Sequence, residues 1–111
     1  MEITYKSNKL AKSVDSPRSI QRNYGTRAKL VNQRIQELKA APTLETIRSI
    51  PAANCHELKG DRRAELAVDI SPNHRIIFEP NHKPKPTRED GGLDWNRITS
   101  IVINEIGEDY H

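Results

Sequence analysis

The sequence contains one cysteine and few aromatic residues. Cys55 has no second thiol with which to form an internal disulfide, so the composition fits a reducing cytoplasm. Phe, Trp and Tyr together make up 5% of the 111 residues, and the apolar set AVILMFWYC makes up 34%. Both values are low for a globular chain, so we expect one small domain over residues 1–111 with a thin, mainly aliphatic core.

Long hydrophobic runs are also missing. The longest contain three residues, as in 101–103, whereas a membrane-spanning helix needs roughly 20. Residues 1–14 include no apolar stretch of the kind found in a secretory signal. Because charged residues make up 30% of the chain and the mean hydropathy is −0.80, we expect no membrane partner.

The charges that are present are unevenly distributed. Residues 1–48 carry ten Lys and Arg against four Asp and Glu, whereas residues 93–111 carry one against four. The net charge of +3 therefore conceals a front half of net +6. Such an excess is typical either of a solvated helix surface or of a protein with a polyanionic partner.

The first half of the chain shows strand and then helix signals. Residues 2–6 alternate as a short strand does. A cap at Ser16 before Pro17 predicts a helix to about Tyr24, where Gly25 interrupts it. Thr26 is the predicted cap of a second helix that runs to about Ala41, and residues 44–49 form a short third one. Arg27, Lys29, Arg34 and Lys39 fall largely outside the apolar stripe of the second helix.

In the second half the apolar residues recur with period two. Strands are predicted at about 56–59, at 64–70, at 75–79 and at 98–106, the second and third of these joined as a hairpin. The summed order is β-α-α(-α)-β-β-β. This order predicts an α+β fold in which a helical pair covers one face of a small, mostly antiparallel sheet and leaves the other face partly open. Residues 80–96 form a long loop, of a length that is usually functional or mobile, and Trp95 at its end is expected to pack on the sheet.

Common catalytic and cofactor motifs are absent from the sequence. The four histidines and Cys55 show no spacing that suits a metal, and adjacent Cys55 and His56 would point to opposite faces of a strand. No Gly-rich phosphate loop and no Ser-centred elbow occurs. We therefore expect no metal and no cofactor.

Residues 109–111 bring together three side chains that can take part in acid–base chemistry. Asp109, Tyr110 and His111 place a carboxylate, a phenol and an imidazole in consecutive positions directly after a predicted central strand. Imidazole suits proton transfer near neutral pH. On spacing alone, a solvated tail is the preferred interpretation of the segment.

Five segments occur together in this one basic chain: residues 55–62 (CHELKGDR), 67–70 (AVDI), 74–80 (HRIIFEP), 89–95 (EDGGLDW) and 109–111 (DYH). In this combination the chain resembles the HigB-like toxins of the RelE/ParE superfamily, the killer proteins of plasmid maintenance systems. The resemblance covers nearly the whole chain. It implies a RelE-like microbial RNase fold of order β-α-α-β-β-β, which agrees with the order predicted above.

The resemblance also implies an activity and partners. HigB-like toxins are metal-independent endoribonucleases that cleave mRNA on the ribosome, and they are neutralised by a cognate HigA-like helix-turn-helix antitoxin. We therefore expect mRNA, the ribosome and such an antitoxin as partners in the cytoplasm. The residues that match the family's active-site set are His56, Lys59, Arg75, Asp109, Tyr110 and His111.

Cleavage by attack of the ribose 2′-hydroxyl on the adjacent phosphate needs groups of these types. A base must take the hydroxyl proton, an acid must protonate the leaving 5′-oxygen, and cations must offset charge on the phosphate. Lys59 and Arg75 are the candidate cations, and His111 is the candidate acid or base. Asp109 would orient it or act with it, Tyr110 would stack on a base, and His56 would contact the substrate.

Two other functions fit the same fold. A ParE-type toxin poisons DNA gyrase without catalysis, and a plain RNA-binding module would also use basic residues. The acid and base groups at 109–111, together with Lys59 and Arg75, favour the ribonuclease, because a gyrase poison does not need them. For Lys59 and Arg75 the competing interpretation is surface ion pairing with Glu57 or Glu79.

Overall fold

A computed structural model describes residues 1–62 and 64–109 of the chain, and the last two of these by their backbone only. The strands are β1 (Glu2–Tyr5), β2 (His56–Glu57), β3 (Leu66–Ser71), β4 (His74–Pro80) and β5 (Ser100–Asp109). The α-helices are α1 (Asn8–Ser13), α2 (Pro17–Tyr24) and α3 (Ala28–Ala40). Short 3-10 turns lie at Gly25–Arg27, Leu44–Ser49, Pro51–Ala53, Gly60–Arg62 and Trp95–Arg97.

The strands form one sheet in the order β1-β5-β4-β3-β2. The pairing of β1 with β5 is parallel, and the other three pairings are antiparallel. The predicted α+β class with a mostly antiparallel sheet is therefore confirmed. All five predicted strands are present, although the summed order counts only four of them. The strand predicted at 56–59 is the two-residue β2, which pairs with β3 at the sheet edge.

The helices cover one face of the sheet. Ile76 and Phe78 of β4 are fully buried in a core cluster that also contains Val31, Ile35 and Leu38 of α3. Side chains alternate along a strand, so Arg75, Ile77 and Glu79 lie on the opposite face, which we call the open face. Ile76 and Phe78 therefore lie on the core side as predicted, and Arg75 and Glu79 are partly exposed on the other side. Ile77 between them is fully buried, so the open face is open only in part.

Two local predictions for the helices were wrong. Helix α1 was not predicted because it is six residues long and buries none of them, so no apolar stripe marks it. It begins where the Ser7 side chain accepts a hydrogen bond from the Leu10 amide at 3.1 Å. Thr26 does not cap α3. It lies within the 3-10 turn, and the residue before α3 is Arg27, which makes no side-chain cap.

Arg34 was predicted to lie largely outside the apolar stripe of α3, but it is 4% exposed. Its Nε donates to the Asp69 carbonyl oxygen of β3 at 2.7 Å and Nη2 to the Ala52 carbonyl at 3.1 Å. Nη1 lies 3.0 Å from the Glu37 carboxylate. The arginine therefore joins α3 to β3 and to the turn before β2 through hydrogen bonds to backbone carbonyl groups of both.

The loop 80–96 is attached to the rest of the molecule near its end. Thr87 and Leu93 form an isolated antiparallel bridge, and Trp95 is 4% exposed. The Trp95 indole donates to Glu57 Oε2 of β2 at 3.2 Å, and the Arg48 guanidinium lies 3.8 Å from the ring centroid. The predicted packing of Trp95 is confirmed. Among the described residues, no helix has the length and apolar character needed to cross a bilayer.

Candidate functional site

Two of the predicted site residues lie on the open face. Arg75 of β4 is half-buried, with Asp69 of β3 and Glu108 of β5 as its register partners. His56 of β2 lies opposite Ala67, which is two residues from Asp69 on the same face. The Cα atoms of His56 and Arg75 are two strands apart across the sheet, at about 5 Å per strand, and two residues apart along the strand direction, at about 3.4 Å per residue. A stretch of a few nucleotides spans such a distance.

Lys59 is exposed and follows the end of β2, directly before the turn Gly60–Arg62. Glu57, one of its expected alternative partners, instead accepts the Trp95 indole hydrogen bond. Glu79, the other, faces Lys85 with Nζ and Oε2 4.0 Å apart. Within the part of the chain that the structure describes, surface pairing with Glu57 or Glu79 therefore does not account for Lys59.

The backbone of β5 leads residues 107–109 to the end of the hairpin formed by β3 and β4. Gly107 has a φ of +82°, a conformation that favours glycine, and the register with β4 shifts there. Asp109 consequently pairs with His74, and Glu108 pairs with Arg75. Tyr110 and His111 lie outside the described residues, and nothing here tests their predicted roles.

One ring nitrogen of His56 has a defined partner. Nδ1 lies 2.7 Å from the carbonyl oxygen of Asn54. A carbonyl oxygen only accepts hydrogen bonds, so Nδ1 carries the proton. In the neutral ring the lone pair is then on Nε2. His56 thus offers Nε2 as a hydrogen-bond acceptor on the open face.

Sequence reasoning missed a polar cluster on the same face. Arg62 lies 2.8 Å from Glu65 Oε1 and 2.6 Å from Glu105 Oε1, and Asn104 Nδ2 donates to Glu65 Oε2 at 2.8 Å. The hydrogen bond from Arg62 is the largest cause that lowers the pKa of Glu65 below its ordinary value. The same two carboxylates raise the pKa of Arg62. Arg62 and Glu105 are 43 residues apart, so no local pattern predicts their contact.

The Glu65 carboxylate should make stability depend on pH. Its pKa is lower in the folded chain than its ordinary value of 4.5, so its stabilisation is complete above about pH 5 and is lost as the pH falls through the lowered pKa. We expect Glu65→Gln to cost about 1 kcal/mol at pH 7 and to cost progressively less towards pH 3. Thermal melts of both proteins across this range measure the difference. Glu89→Gln, at an exposed loop position, is the matched control. A difference in melting temperature between wild type and Glu65→Gln that stays the same at every pH would contradict this expectation.

A basic groove opens beside the sheet and was not predicted residue by residue. It has a volume of about 1060 Å³, and its wall includes Lys6, Lys9, Lys12 and Arg22 but only one carboxylate, Asp15. Across residues 1–62 and 64–109, no ion pair engages any of these four cations. Four of the ten Lys and Arg residues of the first 48 positions therefore line this one groove.

The basic groove borders the end of β5. Tyr24, another wall residue, lies against Gly107: a Cβ added at this glycine would be 3.8 Å from Tyr24 Cε1. The Tyr24 hydroxyl is held by Ser13 Oγ at 2.7 Å. Lys6 and Asn104 of this groove also line a second groove of about 660 Å³ on the open face, beside Arg62 and Glu65. The two grooves therefore share a wall.

Cys55 is partly buried at the start of β2, and burial raises the pKa of its thiol to about 12. A thiol with this pKa is almost entirely protonated at neutral pH, and it is a poor nucleophile. Among the described side chains, no three His, Cys, Asp or Glu residues are grouped to hold a metal ion.

Comparison with known proteins shows what the fold resembles. No protein-family model and no curated protein matches the chain. Among solved structures, a chain of the YoeB-YefM complex from Staphylococcus aureus is 16% identical with a TM-score of 0.56, over 100% of this chain and 97% of that chain. The YoeB/ParE toxin from Agrobacterium tumefaciens is 14% identical with a TM-score of 0.52, over 99% and 100% of the two chains. At these identities the likeness shows a YoeB/RelE-like toxin fold.

Proposed function

We propose that this protein is the toxin of a type II toxin–antitoxin system and a HigB-like, ribosome-dependent mRNA endonuclease. The observation that carries the proposal is the joint placement of Arg75 and His56 on the open face of a toxin-like fold, with β5 leading Asp109 to the same end of the sheet. Under this proposal the protein acts in the cytoplasm, and a HigA-like helix-turn-helix antitoxin neutralises it.

The proposed reaction uses the RNA itself as the nucleophile. The ribose 2′-hydroxyl loses its proton and attacks the adjacent phosphorus, the bond from phosphorus to the 5′-oxygen breaks, and the 5′-oxygen takes a proton. The products are a 2′,3′-cyclic phosphate and a 5′-hydroxyl, so no water and no metal takes part in this step. The protein must supply a base, an acid and positive charge near the non-bridging oxygens.

Each proposed residue has one task in this step. Arg75, which can bind a phosphate with two parallel hydrogen bonds, and the exposed Lys59 offset the developing negative charge. His111 is the proposed acid or base, with Asp109 beside it in sequence to orient it or share the proton transfer. Tyr110 is proposed to stack on an unpaired base. His56 accepts a hydrogen bond from substrate through Nε2.

The basic groove supports RNA as the partner. The four cations that line it have no ion-pair partners within the described chain. Tyr24, which lines the same groove, lies against Gly107 near the end of β5. Phosphate backbones bind such surfaces by releasing counterions. An RNA strand that follows the groove would reach the end of β5, where Asp109 pairs with His74.

Removal of either proposed cation tests the site. Lys59→Ala and Arg75→Ala should each lower the rate of cleavage of translated mRNA about 10²–10³-fold, the usual effect of losing one group that stabilises transition-state charge. Arg75→Lys should retain part of the activity, because it keeps the charge but loses the two-pronged geometry. Primer extension on a reporter mRNA in a purified translation system measures the rates.

The control for these variants is Lys29→Ala, which removes an exposed cation from α3. It should cleave at the wild-type rate. Thermal melts of all variants separate a loss of chemistry from a loss of folding. Wild-type cleavage by both Lys59→Ala and Arg75→Ala would remove these residues from the active site. Growth arrest with DNA breaks and intact mRNA would instead indicate a gyrase poison.

A further inference from the structure

Asn54 has an unusual backbone conformation at the entrance to β2. It follows the turn Pro51–Ala53 with φ 45° and ψ 51°, in the left-handed region. Within the described chain it is the only residue other than glycine with a positive φ. Asparagine adopts this conformation more readily than most residues. The geometry turns the backbone so that the carbonyl group of Asn54 meets the side chain two residues ahead.

Both polar ends of Asn54 are used. Its carbonyl oxygen accepts a hydrogen bond from His56 Nδ1 at 2.7 Å, and its side-chain Nδ2 donates to Asp69 Oδ2 at 3.0 Å. Asp69 is the register partner of Arg75. The backbone carbonyl of Asp69 in turn accepts a hydrogen bond from the buried Arg34. Asn54 therefore links the histidine on β2 to the strand pair that carries the arginine.

Strand β2 alone gives His56 little support. Only two of its residues pair with β3, and the side chain of Glu57 is engaged by Trp95 instead. A strand this short does not fix the rotation of an imidazole about its side-chain torsions. The hydrogen bond from Nδ1 to Asn54 fixes both the orientation of the ring and the nitrogen that carries its proton.

We propose that Asn54 is a positioning residue of the proposed ribonuclease site. It holds His56 as the tautomer protonated on Nδ1, so that Nε2 is an acceptor for the ribose 2′-hydroxyl, and it keeps the ring at a fixed place relative to Arg75 through Asp69. This inference rests on the proposed function for its chemistry. The tautomer and the link to Asp69 are properties of the protein alone.

Three variants change the side-chain contact of Asn54 with Asp69 and keep the backbone carbonyl of residue 54. Asn54→Gly keeps the left-handed backbone and its carbonyl oxygen but removes the amide. Asn54→Asp replaces the donor with a carboxylate that faces the carboxylate of Asp69. The double variant Asn54→Asp with Asp69→Asn restores a donor and an acceptor in the reverse sense. Asn32→Asp makes the same change at an exposed position of α3 and is the control.

The first measurement is ¹⁵N NMR of the histidine rings, with the His56 signals assigned from a His56→Gln variant. Wild-type His56 should be protonated on Nδ1 when neutral. Asn54→Asp should give a mixture of tautomers, because repulsion between the two carboxylates moves the backbone carbonyl of residue 54 away from His56 Nδ1. The double variant should recover the wild-type pattern. If His56 is protonated on Nε2 in the wild type, or if its signals do not change in Asn54→Asp, the proposal is wrong.

The second measurement is the cleavage rate on ribosomes, with kcat and KM determined separately. Asn54→Gly and Asn54→Asp should lower kcat by about tenfold or more with little change in melting temperature, and the double variant should recover most of the loss. A lower melting temperature with unchanged kcat and tautomer would show a purely structural role and overturn the proposal. If the wild type cleaves no mRNA, the proposed function fails, and the NMR result still decides whether Asn54 sets the tautomer.

Discussion

Loss of His111 is expected to lower the rate of mRNA cleavage about 10²–10⁴-fold, the usual cost of removing one general acid or base. Deletion of this residue and His111→Gln should have the same effect, because both remove the imidazole. If the residue acts only on the substrate, as proposed, neither change should alter the free energy of unfolding by more than about 1 kcal/mol. Expression of either variant should then permit growth where the wild type arrests it.

The measurements for this variant are a growth assay, single-turnover cleavage on ribosomes and a thermal melt. Binding to ribosomes should be retained, since the cations of the basic groove are unchanged. Cleavage by the His111-deleted protein at the wild-type rate would show that the proton is transferred by another group. Failure of this protein to fold would show that the residue is structural.

Replacement of Arg34 is expected to give the largest loss of stability. Arg34→Ala leaves the carbonyl oxygens of Asp69 and Ala52 without their donor and the Glu37 carboxylate without its counter-charge. Removal of one member of a buried, charge-assisted network costs about 3 kcal/mol or more. For a domain of this size that loss lowers the melting temperature by roughly 10 °C or more.

Two further variants calibrate this result. Arg34→Lys keeps the charge but has one nitrogen where the arginine uses three, so its stability should be intermediate. Lys29→Ala, on an exposed part of the same helix, should change stability by less than about 0.5 kcal/mol. Urea denaturation gives the free energies. Equal stability of Arg34→Ala and wild type would mean that water replaces the arginine and that the network is not stabilising.

The period-two pattern of the second half of the chain was enough to predict its strands and their faces. It placed Ile76 and Phe78 in the core and Arg75 on the open face, because strict alternation leaves no other arrangement once one face is apolar. The helical stripe similarly located α3, and the cap at Ser16 before Pro17 located α2. Local patterns of this kind need only the sequence spacing of apolar residues.

Contacts between residues far apart in the sequence could not be predicted. Arg34 lies three residues after Val31 and four before Leu38, at the edge of the apolar stripe. Its charge indicates a surface position, and its burial depends on the backbone carbonyl groups of Asp69 and Ala52 that accept its hydrogen bonds. The pairing of Arg62 with Glu105 and the contact of Asn54 with Asp69 depend likewise on how the strands associate. The register shift at Gly107 brings Glu108 opposite Arg75, which alternation along a single strand does not reveal.

The most direct test of the central claim is cleavage of a defined mRNA in a purified translation system, with and without ribosomes, followed by analysis of the new ends. We expect cuts only when ribosomes translate the message, with a 5′-hydroxyl and a 2′,3′-cyclic phosphate at each cut. The His111-deleted protein should cut about 10²–10⁴-fold more slowly. Intact mRNA after incubation with toxin and translating ribosomes, or new ends that carry a 5′-phosphate, would contradict the proposed ribonuclease mechanism.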